Sequence, residues 1–123
     1  MTLLLLLVAC KNPVTLTPGQ DACVSEDPEA AAEEVVWAST GEGGARVGRE
    51  VVLDGTGLVF DPVFEVEPNL VHVYERWTGG GTEDPFCYAP NVAIEGIERE
   101  LQVRWYLAEG DTTPFDTVDI EAQ

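Results

Sequence analysis

The chain has 123 residues and a formal net charge of −17, with 23 acidic residues against 6 Lys and Arg. This length supports one small domain. The acidic balance argues against nucleic-acid binding, in which Lys and Arg neutralise phosphate, and against adsorption to anionic lipid through basic clusters. We expect the acidic side chains to serve mainly the solubility of the protein surface.

An apolar run from Leu3 to Ala9 opens the chain and is followed directly by Cys10. The run is too short to span a bilayer, which takes roughly 20 residues, and it has the length of the apolar region of a signal peptide. The tetrad Leu7-Val8-Ala9-Cys10 resembles the lipobox of bacterial lipoproteins. The resemblance implies cleavage before Cys10, acylation of its thiol and anchoring to a membrane through more than one lipid chain.

The lipobox resemblance also implies a division of the chain. Residues 1–9 are the expected signal peptide, residues 10–22 a lipid-anchored tether that can contribute a short edge strand, and residues 23–123 a single β-rich domain. No Lys or Arg precedes the apolar run, which departs from the usual signal pattern. In the resembled family an Asp after the acylated cysteine often signals retention at the inner membrane. Lys11 stands there instead, so the resemblance implies the bacterial cell envelope, at the outer membrane.

The cysteine count predicts one disulfide. If Cys10 carries lipid, Cys23 and Cys87 remain of the three cysteines, and two cysteines in an oxidising compartment are expected to pair. Such a bridge contributes about 4 kcal/mol in the chain-entropy model. A Cys/His metal site is the alternative, but only His72 is available and the spacings do not match a zinc site. We therefore predict no metal ligands.

Secondary-structure signals change along the chain. Asp27 and Pro28, followed by a run of Ala and Glu, favour one short helix that we expect to end near Trp37. From Arg46 onward the pattern favours β-strands separated by Gly, Pro and Asp turns. The clearest is Leu101–Leu107, in which alternate side chains are apolar, as in a half-buried strand.

Many short strands with close turn signals and no alternating helices predict an all-β fold. We expect a mainly antiparallel sandwich with one short N-terminal helix. An immunoglobulin-like topology is one option, although Trp37 lies on a segment that is not firmly a strand. The alternative fold class is α+β.

Catalytic signals are weak. His72, the only histidine, lies between two valines in a β pattern and is expected on a sheet surface rather than beside a nucleophile. Carboxylates are so abundant that no pair stands out for glycoside hydrolysis. We predict that the protein is not an enzyme; a small envelope hydrolase or hydrolase accessory domain is the alternative.

Calcium is the cofactor that the sequence leaves open. Residues 54–57 and 83–84 place carboxylates in or near turns, where oxygen ligands for hard cations often lie. Neither segment has the spacing of an EF-hand loop. We favour a turn-forming role and predict no cofactor.

Aromatic residues supply the candidate binding patch. Arg76, Trp77 and Tyr88 flank a glycine-rich loop, and these residue types dominate interface hot spots. Core packing is the alternative role for these aromatic residues, and pairing with neighbouring acidic residues is the alternative for Arg76. Trp105 is expected in the core. The sequence therefore predicts a lipid-anchored cell-envelope protein whose β-sandwich is a non-enzymatic binding or structural module. Its expected partners are the membrane, through the lipid anchor, and an envelope protein or small ligand, not nucleic acid.

Overall fold

A computed structural model describes residues 14–23, 34–81 and 83–121. Within these ranges the chain forms strands and no helix, so no described helix is long and apolar enough to cross a membrane. The strands are β1 (Thr15–Ala22), β2 (Val36–Gly41), β3 (Gly44–Gly48), β4 (Val51–Asp54), β5 (Leu58–Phe60), β6 (Val63–Glu67), β7 (Leu70–Tyr74), β8 (Trp77–Gly79), β9 (Pro85–Glu95), β10 (Leu101–Tyr106) and β11 (Asp116–Ile120).

The first sheet is built around β9. The long strand β9 pairs with β1 on one side and with β3 and then β4 on the other, and β2 extends the sheet beyond β3. All of these pairs are antiparallel, from Thr15 opposite Glu95 to Ala22 opposite Tyr88 in the β1–β9 pair. One long strand therefore fixes the register of most of this sheet.

The second sheet has the strand order β11-β10-β7-β6, and β5 and β8 form a separate two-stranded ribbon. The pair β7–β10 is parallel, with Val71 opposite Val103, and the other pairs of the second sheet are antiparallel. In β10 the predicted alternation is confirmed through Trp105. Leu107 was expected on the same buried face, but the strand ends at Tyr106 and Leu107 is 46% exposed.

Apolar side chains from both sheets fill the space between them, and the all-β sandwich prediction is confirmed. The ring of Trp105 is fully buried and stacks on Phe60 of the ribbon at 5.9 Å between centroids. Other buried members of the same cluster include Val47, Val71, Val73, Val92, Ile94, Val103 and Ile120. This arrangement explains the run of β-branched residues in the sequence, because such side chains pack well on pleated surfaces.

The predicted N-terminal helix lies mostly outside the described residues, but its expected end is wrong. Val36 and Trp37 belong to β2, and Trp37 pairs with Val47 of β3. Trp37 also packs partly buried against the core. Tertiary packing of a β-branched and an aromatic residue outweighs the helix propensity of the preceding alanines and glutamates.

The edge strand expected within the predicted tether, residues 10–22, is present and is longer than expected. Residues 15–22 form β1, which pairs with β9 along its whole length. Pro18 and Gly19 are accommodated because β1 is an edge strand, where a missing backbone donor can face solvent. The sheet therefore begins at Thr15 and not at the predicted boundary, residue 23.

Cys23 and Cys87 are paired as predicted, with their Cα atoms 5.8 Å apart. Cys23 follows β1 directly, and Cys87 lies on β9 beside the Ala22–Tyr88 pair. The bridge thus joins neighbouring strands of one sheet. In antibody domains the conserved disulfide joins the two sheets, so this feature of the immunoglobulin-like option is not reproduced.

Candidate functional site

A cavity of about 380 Å³ lies at one end of the sandwich. Three segments line it: the start of the first described range at Val14, the β6–β7 turn at residues 66–69, and the β9–β10 loop at residues 96–101. The segments meet because β1 begins opposite the end of β9, while β10 begins next to the β6–β7 turn. The topology therefore produces the cavity from positions that are far apart in sequence.

The floor of the cavity is apolar. Ile97 and Leu101 are buried there and belong to the core cluster, against which Val14 packs partly buried. Val66 adds a large apolar side chain that remains 40% exposed. The cavity thus presents an apolar surface that solvent reaches.

The rim of the cavity is charged. Glu67, Glu98 and Glu100 supply three exposed carboxylates, and Arg99 supplies one guanidinium. Glu67 closes β6 just before a tight turn, in which Asn69 has a φ of 64°. Asn tolerates this left-handed conformation better than most residues, so the local sequence suits the turn that positions Glu67.

Two hydrogen-bonded side chains, those of His72 and Tyr106, hold the Glu67 carboxylate in position. Glu67 Oε2 lies 2.6 Å from Nε2 of His72, and His72 Nδ1 lies 2.8 Å from the hydroxyl of Tyr106. His72 and Tyr106 are buried although they lie on the side of the sheet away from the core residues Val71 and Val73. His72 was expected on a sheet surface; it does lie on the face away from the core, but the residue is only 8% exposed.

Tyr74 extends the aromatic group on the same sheet face. Its ring stacks on Tyr106 at 4.3 Å between centroids, and its hydroxyl donates to Glu65 Oε1 at 2.8 Å. This hydrogen bond to Glu65 raises the pKa of Tyr74 to about 12, because ionisation would lose the donor and place a phenolate beside a carboxylate. Glu65 is thereby engaged with Tyr74.

The predicted binding patch does not form one surface. Tyr88 is buried, its hydroxyl donates to the carbonyl of Gly55 at 2.6 Å, and Trp77 packs on its ring at 5.1 Å. Arg76 instead pairs with Asp61 at 2.9 Å and approaches Glu109 at 3.8 Å. The structure therefore brings Trp77 and Tyr88 together by packing and engages Arg76 with carboxylates.

A buried carboxylate, Glu75, is a feature that the sequence analysis missed. It is 4% exposed and accepts hydrogen bonds from Arg49 at 2.5 Å, Trp105 Nε1 at 2.5 Å and Trp77 Nε1 at 3.2 Å. The guanidinium carbon of Arg49 in turn lies 4.9 Å from the centre of the Phe115 ring. We interpret this cluster as structural, because each oxygen of the buried carboxylate accepts hydrogen bonds from Arg49 and from an indole N–H group.

The two turns considered for calcium do lie side by side. Gly55 donates its backbone N–H to the carbonyl of Asp84 at 2.8 Å, and Asp54 pairs with Pro85. Within residues 14–23, 34–81 and 83–121, no group of three or more His, Cys, Asp or Glu is placed to hold a metal ion. The geometry is that of two hydrogen-bonded turns.

Comparisons with protein-family models, with curated proteins and with solved structures each found no match.

Proposed function

We propose that this chain is a lipid-anchored protein of the bacterial cell envelope, attached through Cys10, whose β-sandwich is a non-enzymatic binding module. Its binding site is the cavity at the end of the sandwich. The observation that supports this proposal best is the position of Val14, which lines the cavity and follows Cys10 by only four residues.

The short spacing between Cys10 and Val14 limits the distance between the membrane and this edge of the cavity. An extended chain spans at most about 3.6 Å per residue, so Val14 lies within about 14 Å of the Cα atom of Cys10. Because β1 begins at Thr15, the folded domain follows the anchor almost directly. The cavity would therefore face the region just above the lipid head groups, where a membrane-anchored binding site is useful.

The contacts of His72 favour a binding role over a hydrolytic one. A catalytic histidine needs one ring nitrogen directed at a nucleophile or water and the other at an orienting acid. In this chain the two ring nitrogens are directed at the Glu67 carboxylate and at the hydroxyl of Tyr106. Tyr106 is only 4% exposed, so its hydroxyl is not open to a substrate or to an attacking water. The second carboxylate on β6, Glu65, bonds Tyr74. This arrangement supports a rigid cavity rim better than it supports general base catalysis.

The anchor is tested by feeding labelled palmitate to a bacterial host that expresses the full chain. We expect the wild-type protein to incorporate label and a Cys10→Ser variant to remain unlabelled. A Lys11→Ser variant, which leaves the cysteine intact, is the matched control and should incorporate label. Equal labelling of the wild-type and Cys10→Ser proteins would refute lipid attachment at Cys10.

A further inference from the structure

The apolar floor of the cavity sets the first requirement for a ligand. Ile97 and Leu101 form the buried part of the floor, and Val66 keeps 40% of its surface exposed beside them. The volume of about 380 Å³ lies within the range of small-molecule sites, about 300–1,000 Å³. An alkyl chain that covers Val66 would remove apolar surface from water, which favours binding. A two-chain lipid is too large for this volume.

The charged rim sets the second requirement. Three carboxylates, those of Glu67, Glu98 and Glu100, face one guanidinium, that of Arg99, so the rim carries an excess of two negative charges when all four are ionised. This excess favours a cationic head group and disfavours an anionic one. His72 already holds Glu67 at 2.6 Å, so this carboxylate gives up little conformational entropy when a ligand binds.

The location next to Cys10 sets the third requirement. In the proposed anchored state Val14, at the edge of the cavity, lies within about 14 Å of the Cα atom of Cys10. Molecules concentrated there are amphiphiles that partition between membrane and water. We propose that the cavity binds a single-chain amphiphile with an ammonium head group, with the alkyl chain over Ile97 and Leu101 and the head group among Glu67, Glu98 and Glu100.

This inference rests on the proposed function for its setting at the membrane, but its test does not need lipid attachment. The full chain with Cys10→Ser would be purified and titrated with n-octylammonium chloride below the micelle concentration, with binding measured by calorimetry. Octanoate serves as the probe with the same alkyl length and opposite charge, and ethylammonium as the probe with the same head group and a short chain. We expect saturable binding of octylammonium with a Kd at least about tenfold below that of octanoate, and weaker binding of ethylammonium.

Matched variants assign the binding to the rim. The pair Glu98→Gln and Glu100→Gln should raise the Kd of octylammonium about tenfold and remove its advantage over octanoate. The pair Glu83→Gln and Asp84→Asn makes the same change of charge near the other end of β9 and should leave the Kd unchanged. All four are exposed side chains, so the folded state should be kept.

Three results would overturn the proposal: no saturable binding of octylammonium, equal binding of octanoate, or an equal loss in both variant pairs. The outcome is separable from that of the palmitate experiment. If the chain binds octylammonium but never incorporates palmitate, the lipid anchor is refuted and the cavity proposal is supported. If the chain incorporates palmitate but does not bind octylammonium, only the cavity proposal is refuted.

Discussion

At the scale of single residues, Glu75 shows how the fold tolerates a charge in its interior. Removing a carboxylate from water costs several kcal/mol unless partners compensate for it. Glu75 has Arg49 and the indole N–H groups of Trp77 and Trp105 as partners. Arg49 follows β3 of the first sheet, and Trp105 lies on β10 of the second. The cluster therefore ties the two sheets together.

We expect Glu75→Gln to lower the free energy of unfolding by about 3–5 kcal/mol, because it leaves the Arg49 charge buried without its counter-ion. Urea denaturation followed by tryptophan fluorescence measures this change. Asp61→Asn, which removes the carboxylate partner of exposed Arg76, is the matched control and should cost less than about 1 kcal/mol. Equal losses in the two variants would contradict the structural role given to the buried pair.

The Tyr74–Glu65 pair predicts an alkaline titration. The pKa of Tyr74 is raised from 10.0 to about 12, chiefly by its hydrogen bond to Glu65. Because the folded state keeps the proton longer than the unfolded chain does, this contribution to stability is complete below pH 10 and is lost as pH rises towards 12. Ultraviolet difference spectra should show one late-ionising tyrosine, and Glu65→Gln should shift its ionisation to lower pH. An unchanged titration in that variant would contradict the assigned cause.

The sequence predicted residue environments only where a local pattern exists. Trp105 was placed in the core because it alternates with Leu101 and Val103, and it is fully buried. Glu75 was not singled out, because two of its partners, Arg49 and Trp105, are distant in sequence and acidic residues are common throughout. Composition and spacing do not distinguish Glu75 from the rest of the 23 acidic residues.

At the scale of elements, the β3–β9 pair depends on a close approach at Gly48. A Cβ atom at this position would lie 2.8 Å from the Asn91 Cβ and against the carbonyl oxygen of Pro90. Because both contacts belong to the central strand β9, neither can move without disturbing its other pairs. Glycine is therefore required at position 48 because an added Cβ atom would not fit, and not because of the backbone conformation.

Gly48→Ala should lower the free energy of unfolding by about 1–3 kcal/mol through overpacking. Gly81→Ala, where an added Cβ meets nothing within 4 Å, is the control and should change stability by less than about 0.5 kcal/mol. Thermal and urea denaturation of the two variants would measure this difference. A Gly48→Ala protein as stable as Gly81→Ala would refute the close approach.

Strand prediction succeeded where apolar and polar residues alternate and failed where local propensity pointed elsewhere. β10 follows its period-two pattern. Val36 and Trp37 could end a helix or begin a strand, and the strong helix formers before them favoured the helix. β1 was expected only as a short edge strand within the tether, because it contains Pro18 and Gly19. In both segments, pairing with β3 and β9, which local sequence does not encode, decides the conformation.

At the scale of the whole molecule, the disulfide closes a loop with a sequence separation of 64 residues. The double variant Cys23→Ser and Cys87→Ser should lose about 4 kcal/mol of unfolding free energy in the chain-entropy model. Treating the wild-type protein with a reductant should cause a similar loss, while the double variant should not respond. Equal stability of the oxidised and reduced wild-type protein would contradict this contribution.

The candidate site illustrates the limit of sequence reasoning for the whole chain. Its lining comes from Val14, residues 66–69 and residues 96–101, and no motif connects these segments. The sandwich architecture could be predicted because several strands, β10 above all, carry a local pattern. The cavity could not, because it arises from the order in which the strands are arranged, and this order depends on long-range pairing.

The position of Cys23 at the far end of β1 has a mechanical consequence. A chain held at its amino-terminal side and loaded by movement of its surroundings would transmit force first into the edge strand β1. The eight residues of β1 could then detach from β9 one pair at a time and lengthen the chain by about 27 Å. Detachment would stop at Cys23, because its bond to Cys87 does not yield. The load would then pass through this bond into β9, and the loop between the two cysteines would carry none of it.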